Sequence, residues 1–417
     1  MLHNDIIMQF IKRQSYTNLW NELSEEKKMV FLAGPRQVGK TTIAKEIAKK
    51  YKNSIYFNWD IISDQQKIIK NPTFFEQINR IDKSIPLVVL DEIHKYKKWK
   101  NYLKGIYDEF YSDYSFLISG SGRLDIYQKG GDSLAGRYLM FHLFPFTISE
   151  LSHTNRNFSD FIKNPINDFD INHKKSTRNI WDNLAQFSGF PDPFTRATKT
   201  FWTKWSRNYN KQIIYEDIRN LSNIKNINDV GLLFSLLPSK IGSPISINNI
   251  ANDLQVAFDT VKNWLNLFDI SYLTFRILPW TRKINRAITK EKKLYLFNYP
   301  LIQDIGAKFE NMVSLELYRA INNWNEKGYG NFDLHYIKNK EQEEVDFLIS
   351  NNNLPILIIE AKNSDVQPTK ALINFQNNLN VPAVQLVNQE NIYKINKNKA
   401  NKILITTAHY WLSSLPF

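Results

Sequence analysis

The stretch "MVFLAGPRQVGKTT", residues 29–42, constrains this chain more than any other. An unbroken apolar run ends in a loop that fits G-x-x-x-x-G-K-[ST], and a helical pattern, "KTTIAKEIAKKY", follows it. In a strand–loop–helix context the glycines let backbone N–H groups approach phosphates at the positive end of a helix. Gly34, Pro35, Arg36, Gln37, Val38, Gly39, Lys40, Thr41 and Thr42 are the candidate cradle. Lys40 is placed to neutralise the β- and γ-phosphates of ATP, and Thr41 to hold Mg²⁺.

The segments around the loop agree with that reading. "SIYFNWD", "PLVVLDE" and "SFLISGS" are apolar runs separated by helical stretches, which predicts a parallel sheet covered on both faces. Adjacent acids at the end of a buried strand are costly unless they serve an ion. Asp91 is therefore expected to orient Mg²⁺ or its water, and Glu92 to polarise the attacking water. Ser119, at the tip of another strand, is placed to sense the γ-phosphate. Arg137 in "LAGRY" either reaches a phosphate in cis, reaches a neighbour's site in trans within a homo-oligomer, or is a surface arginine.

At 417 residues the chain needs more than one core. The pattern divides it into a phosphate-loop α/β domain over 1–151, a helical lid or linker over 152–235, a winged helix-turn-helix over 236–300 and a C-terminal α/β domain over 301–417. The segment 139–151, "LMFHLFPFTISEL", is expected to close the first domain. No apolar run is long enough for a membrane span, so no membrane partner is expected. The chain has no cysteine, which excludes disulfides and thiolate metal sites and fits a reducing cytoplasm. A net charge of +13 leans towards polyanions, although an Asn- and Lys-rich composition also follows from AT-rich coding.

In "PISINNIANDLQVAFDTVKNWLNLFDISYLTF", residues 244–275, two helical patterns joined by a short turn precede a strand. Ser246 is a candidate N-cap, and Val261, Leu265 and Phe268 lie along one side of the second helix. Such a unit either presents Lys262 and the basic run 282–293 to DNA phosphates or serves as an interdomain packing module.

A second acidic pattern lies in "EEVDFLISNNNLPILIIEAK", residues 343–362. Residues two apart on a strand share a face, so Glu360 and Lys362 point the same way, and the hairpin-like link returns Asp346 beside them. Two carboxylates and an amine then converge, able to hold Mg²⁺ or Mn²⁺ while Lys362 positions water. Glu310, beside the stripe Phe309, Val313 and Leu317 of the preceding helix, completes the set. Glu316, roughly 240° further around that helix, cannot share it. The alternative is a solvated salt-bridge group on an exposed strand face.

Taken in order, "FLAGPRQVGKTT", "VVLDEIHKYKKWKNYLK", "FLISGS", "LAGRY", "FPFTISEL", "GFPDPF", "DTVKNWLNLFDISYLTFRILPW" and "FENMVSLEL…EEVDFLI…IIEAK" resemble the prokaryotic AAA-like P-loop ATPases with an AAA_14 domain and a DUF4143 region. That resemblance implies a core ATPase, a winged-helix middle and a C-terminal domain similar to the PD-(D/E)xK nucleases. His94 departs from the glutamine usual after the two acids, and Asn298 from a common aspartate. The expectation is an ATP-hydrolysing enzyme acting on DNA, with a catalytic quartet of Glu310, Asp346, Glu360 and Lys362. Two rivals stand beside it: a nucleotide-controlled switch or scaffold that does not cut, and an ATP-driven motor on branched DNA.

Overall fold

Apolar runs of five residues become the strands of a parallel sheet: β1 (Met29–Ala33), β2 (Ser54–Asn58), β3 (Leu87–Asp91), β4 (Ser115–Ser119) and β5 (Tyr138–His142). The computed structural model describes residues 11–120, 134–153, 156–166, 174–221, 224, 226–282, 290–398 and 401–417. Two compact units emerge, one of Met1–Phe144 with Ile270–Tyr272, the other of Pro145–Asp269 with Leu273–Phe417. Among the described residues no helix is long and apolar enough to cross a membrane.

In the first unit the strand order is β2-β3-β4-β1-β5, every pairing parallel. All residues of β1 and β3 are buried, as a sheet covered on both faces requires. Helix α1 (Gln14–Ser24), α2 (Lys40–Ala48), α3 (Ile62–Lys70) and α4 (Trp99–Phe110) supply the covering layers. Along α4 the buried residues Trp99, Leu103, Ile106 and Phe110 recur at helical spacing. Phe75 packs edge-on against Phe110, Tyr114 and Phe116 at 5.0–5.7 Å between ring centroids. A Phe75→Ala change at so enclosed a position costs about 3–5 kcal/mol.

The second unit begins with helices, including Lys174–Phe187, Lys199–Gln212 and Ile227–Leu236. Phe190 packs against Trp205 and Tyr209, and all three rings are buried. These aromatics therefore form core, where the composition had suggested a lid or linker. Helices Ile247–Leu254 and Phe258–Ile270 follow, and Ser246 caps the first by accepting from Asn249 N at 3.5 Å. Val261, Leu265 and Phe268 are fully buried, while Lys262 is exposed. Most of the basic run, residues 283–289, lies outside the described residues.

The hairpin after these helices is β6 (Thr274–Pro279) with β7 (Lys293–Leu296), joined antiparallel from Thr274↔Leu296 to Ile277↔Lys293. An isolated antiparallel bridge, Pro244↔Lys293, adds the strand contact that precedes the two helices. The hairpin does not end at residue 300 as a separate module. β6 pairs with β8 (Phe332–Lys338) through Leu278↔His335 and so enters the C-terminal sheet.

That mixed sheet also contains β9 (Glu344–Asn351), β10 (Leu354–Lys362), β11 (Ala383–Val387), β12 (Tyr393–Asn398) and β13 (Asn401–Thr407), in the order β12-β13-β11-β10-β9-β8-β6-β7. The long helix Ile305–Glu326 packs on it with Phe309, Val313 and Leu317 buried, as the stripe predicted. Residues 145–151 also belong here, instead of closing the first domain. Ile148 N donates to Glu316 at 2.8 Å, and Phe146 N to Gly189 O at 2.6 Å. Asn298, where an aspartate is common, is structural: it donates to Ser206 at 2.7 Å and accepts from Trp202 at 3.2 Å.

Candidate active site

The loop between β1 and α2 is shaped by backbone conformations that few residues tolerate. Gly34 has φ +136° and Gly39 φ +100°. A Cβ on Gly34 would lie 2.2 Å from the carbonyl oxygen of Leu143, so only glycine fits there. Lys40 opens the helix, and its buried ammonium donates to the loop carbonyls of Gly34 at 2.9 Å and Pro35 at 2.6 Å. Pro35, Arg36, Gln37 and Val38 complete the turn, with Gln37 at φ +58° and Val38 buried, and Thr42 lies in the first turn of α2.

Sheet order brings the remaining candidates to this loop. β4 lies between β1 and β3, and Ser119 pairs with Leu32 on one side and Asp91 on the other. The Thr41 hydroxyl donates to Asp91 Oδ2 at 2.7 Å. The Tyr56 hydroxyl, from β2, donates to the same oxygen at 2.6 Å. Asp91 Oδ1 and Ser119 Oγ are buried and have no hydrogen-bond partner among the described residues. A hydroxyl and a carboxylate meeting beside the loop are oxygen donors of the kind a phosphate-bound Mg²⁺ takes, and the nearby ammonium can meet the phosphates themselves. The residues fit that ion: Thr41 and Asp91 would hold it, and it would neutralise charge on the phosphates.

Glu92 follows in a left-handed conformation, φ +56°, with its N–H on Ser119 O at 2.8 Å. Strain of this kind in a non-glycine residue persists only where the surroundings impose it. Burial pushes the Glu92 carboxyl above the usual range, with Lys95 and Lys40 pulling against it. Lys95 sits 3.2 Å from Glu92, and the buried His94 ring 3.6 Å.

Arg137 lies elsewhere. Its carbonyl accepts from Met29 N at the amino-terminal edge of the sheet, roughly 13 Å of strand away from the phosphate loop. Its guanidinium makes a two-bond pair with Asp108 at 2.6 and 3.2 Å. Of the three readings of Arg137, contact to a phosphate in cis does not fit, because the phosphate loop follows the carboxyl end of β1 and Arg137 lies at its amino end.

In the second unit the acidic quartet does gather. The antiparallel register Ile359↔Phe347 sets Asp346 beside Glu360, and Ala361 N donates to Asp346 Oδ2 at 3.0 Å. Lys362 Nζ is 3.0 Å from Glu360. Thr369, the N-cap of helix Lys370–Leu379, donates to the other Glu360 oxygen. Burial raises the Glu360 carboxyl's pKa, against the pull of Lys362. Glu310 faces the same cluster from the long helix, and burial, with Asp346 nearby, pushes it up to about 7. Glu316 does not join it, and burial pushes that carboxyl up to about 8.

A residue the motif does not contain stands at the centre. Lys293, on β7, is 3.0 Å from Glu310, 3.3 Å from Asp346 and 2.7 Å from Glu344, with its side chain fully buried. Burial alone would lower its pKa, but the three carboxylates hold the ammonium above its usual range. Tyr295 adds a hydrogen bond to Glu310 at 2.8 Å. Among the described residues no three Asp, Glu or His side chains are grouped so as to hold a metal ion. With Lys293 in this position the expected Mg²⁺ or Mn²⁺ ligands Glu310, Asp346 and Glu360 do not fit a divalent ion, because an ammonium already bridges two of them.

An AAA domain family (AAA_14) matches residues 26–152, and a domain of unknown function, DUF4143, matches residues 305–408. The chain thus carries an AAA-type ATPase domain and a DUF4143 region. A second domain of unknown function, DUF8612, matches residues 178–305. The uncharacterized protein MJ1544 of Methanocaldococcus jannaschii is 24% identical over 413 residues, covering 94% of this chain and 87% of the relative. Among solved structures, the Walker-type ATPase PABY2304 of Pyrococcus abyssi is 13% identical with a TM-score of 0.44, covering 71% of this chain and 95% of that one. The Aeropyrum pernix ORC1 protein in complex with DNA is 12% identical with a TM-score of 0.33, covering 75% and 95%. Both likenesses are distant.

The sequence patterns single out Gly34 to Thr42, Asp91, Glu92 and Ser119, and do not single out Tyr56, Lys293, Glu344 and Thr369, which the structure sets beside the candidates. A signal existed for Lys293: it opens "KLYL", a strand in which every residue is buried.

Proposed function

We propose that this chain binds and hydrolyses ATP at the phosphate loop and couples that cycle to DNA. The observation that carries the first half is the junction of Thr41 with Asp91, beside Asp91 Oδ1 and Ser119 Oγ, which have no partner among the described residues. Lys40 would exchange its loop carbonyls for phosphate oxygens, and Glu92 would accept hydrogen bonding from the attacking water.

DNA as the partner is supported by the +13 net charge and by the helix-turn-helix with its hairpin, where Lys262 is exposed on the second helix. Glu310, Asp346, Glu360 and Lys362 are the residues we assign to phosphodiester cleavage, in a resting arrangement that Lys293 neutralises. The same lysine favours a second reading, a nucleotide-controlled switch that binds DNA without cutting it.

Purified protein incubated with plasmid, linear, single-stranded and four-way-junction DNA, with Mg²⁺ or Mn²⁺ and with or without ATP, separates these. Metal-dependent cutting lost in Asp346→Asn supports the nuclease. ATP-responsive binding without cutting puts the switch first, and no binding to any form removes DNA as the partner.

A further inference from the structure

At the edge of the mixed sheet four carboxylates meet three lysines. Glu310, Glu344, Asp346 and Glu360 are held by Lys293, Lys338 and Lys362 at 2.7–3.4 Å. Of the three lysine side chains, Lys338 is 33% and Lys362 38% exposed, but Lys293 is 0% exposed. A buried ammonium has three protons to place, and Lys293 faces a carboxylate with each: Glu310 from the long helix, Glu344 and Asp346 from β9. Backbone pairing fixes its position, since Lys293 is joined to Ile277 on one side and bridged to Pro244 on the other.

We propose that Lys293 is the resident cation of this cluster, neutralising Glu310 and Asp346 in place of a divalent ion and excluding such an ion while it stays. The inference concerns which cation the cluster accepts, and it stands whether or not the cluster cuts. A divalent ion binds carboxylate oxygens at about 2.1–2.6 Å. An ion touching the Glu310 and Asp346 oxygens that Lys293 holds would therefore lie roughly 3–4 Å from the ammonium. Like charges that close, out of contact with water, repel strongly. Removing the ammonium reverses the balance, because two facing carboxylates without a counter-charge favour any cation that bridges them. Lys362, 38% exposed, does not play this part: its ion pair is with Glu360, not with Glu310.

The test is Mn²⁺ titration of the nucleotide-free full chain, followed by the electron paramagnetic resonance of the free ion. The parent protein, Asp346→Asn, Lys293→Met and the double variant Lys293→Met/Asp346→Asn are compared, so that only binding dependent on Asp346 is counted. The expected result is no such binding in the parent below about millimolar Mn²⁺, and one ion bound at least tenfold more tightly in Lys293→Met that disappears in the double variant. Folded Lys293→Met that binds Mn²⁺ no better than the parent overturns the proposal. Tight binding by the parent that Asp346→Asn removes overturns it too, and this arm holds even where Lys293→Met fails to fold. DNA cutting by the same samples is read separately: Lys293→Met that gains the ion without cutting supports the resident cation and rejects the nuclease.

Discussion

Thr41 donates its hydroxyl to Asp91 at 2.7 Å, joining the phosphate loop to a strand that is not its neighbour in the sheet. β4 lies between them, so the contact forms only at the loop edge, where three strand tips converge. Tyr56 reaches the same oxygen from β2, on the other side of β3, at 2.6 Å. Asp91 is thus held by two hydroxyls through Oδ2, and its Oδ1 is buried with no partner among the described residues.

Tyr56→Phe removes one of those hydroxyls and leaves the ring in place. A hydrogen bond to a charged group contributes about 1.5–3 kcal/mol, so turnover is expected to fall about tenfold or more. The Mg²⁺ concentration for half-maximal turnover should rise, while affinity for a fluorescent ATP analogue without Mg²⁺ stays at the parental value. An unchanged Mg²⁺ dependence would show that Tyr56 only packs.

Gly34 and Gly39 make different demands. Both have positive φ, but only Gly34 is pressed against backbone, with Leu143 O 2.2 Å from a would-be Cβ. Gly39→Ala is expected to cost backbone strain of about 1–3 kcal/mol, and Gly34→Ala more than that, since β1 or residue 143 must move. Urea midpoints of the two variants check this, and equal losses would contradict it.

The helical and strand periods that made the parallel sheet legible are local, and so were the phosphate loop and the Asp91-Glu92 pair. Asp346, Glu360 and Lys362 were legible too, because one hairpin and a period of two place them. Lys293 was not. It lies 17 residues from Glu310 and 53 from Asp346, and its role depends on β6 pairing with β8, a register that no local pattern encodes. Residues 145–151 misled for a related reason. Their apolar pattern runs on from β5, but burial against Glu316 and Gly189 places them in the other unit. Arg137 misled because a motif gives a residue type without giving the edge of the sheet it occupies.

Glu316 carries a pH prediction. Its folded pKa, raised by burial to about 8, exceeds the ordinary 4.5, so the folded state holds a proton more tightly than the unfolded chain. Stability should therefore be lost as pH rises from about 4.5 towards 8, by on the order of 5 kcal/mol from this group. Glu316→Gln keeps an acceptor for Ile148 N and should flatten that slope in urea-midpoint measurements across the same window. A slope as steep as the parent's would assign the pH dependence to other groups.

Binding to DNA is expected to be mainly electrostatic, given the +13 charge. A plot of log affinity against log salt should have a steep negative slope and depend little on base sequence, and Lys262→Ala should make it shallower by about one unit. A slope near zero would remove the DNA assignment.

Steady-state phosphate release at saturating Mg²⁺ and ATP, from parent, Lys40→Ala and Glu92→Gln side by side, tests the central claim most directly. Lys40 and Glu92 have different tasks in the proposed site, one to bind and one to activate water. The expected result is turnover by the parent and loss of at least about a hundredfold in both variants, with only Glu92→Gln still binding the nucleotide. Release at the parental rate by Lys40→Ala would contradict the account.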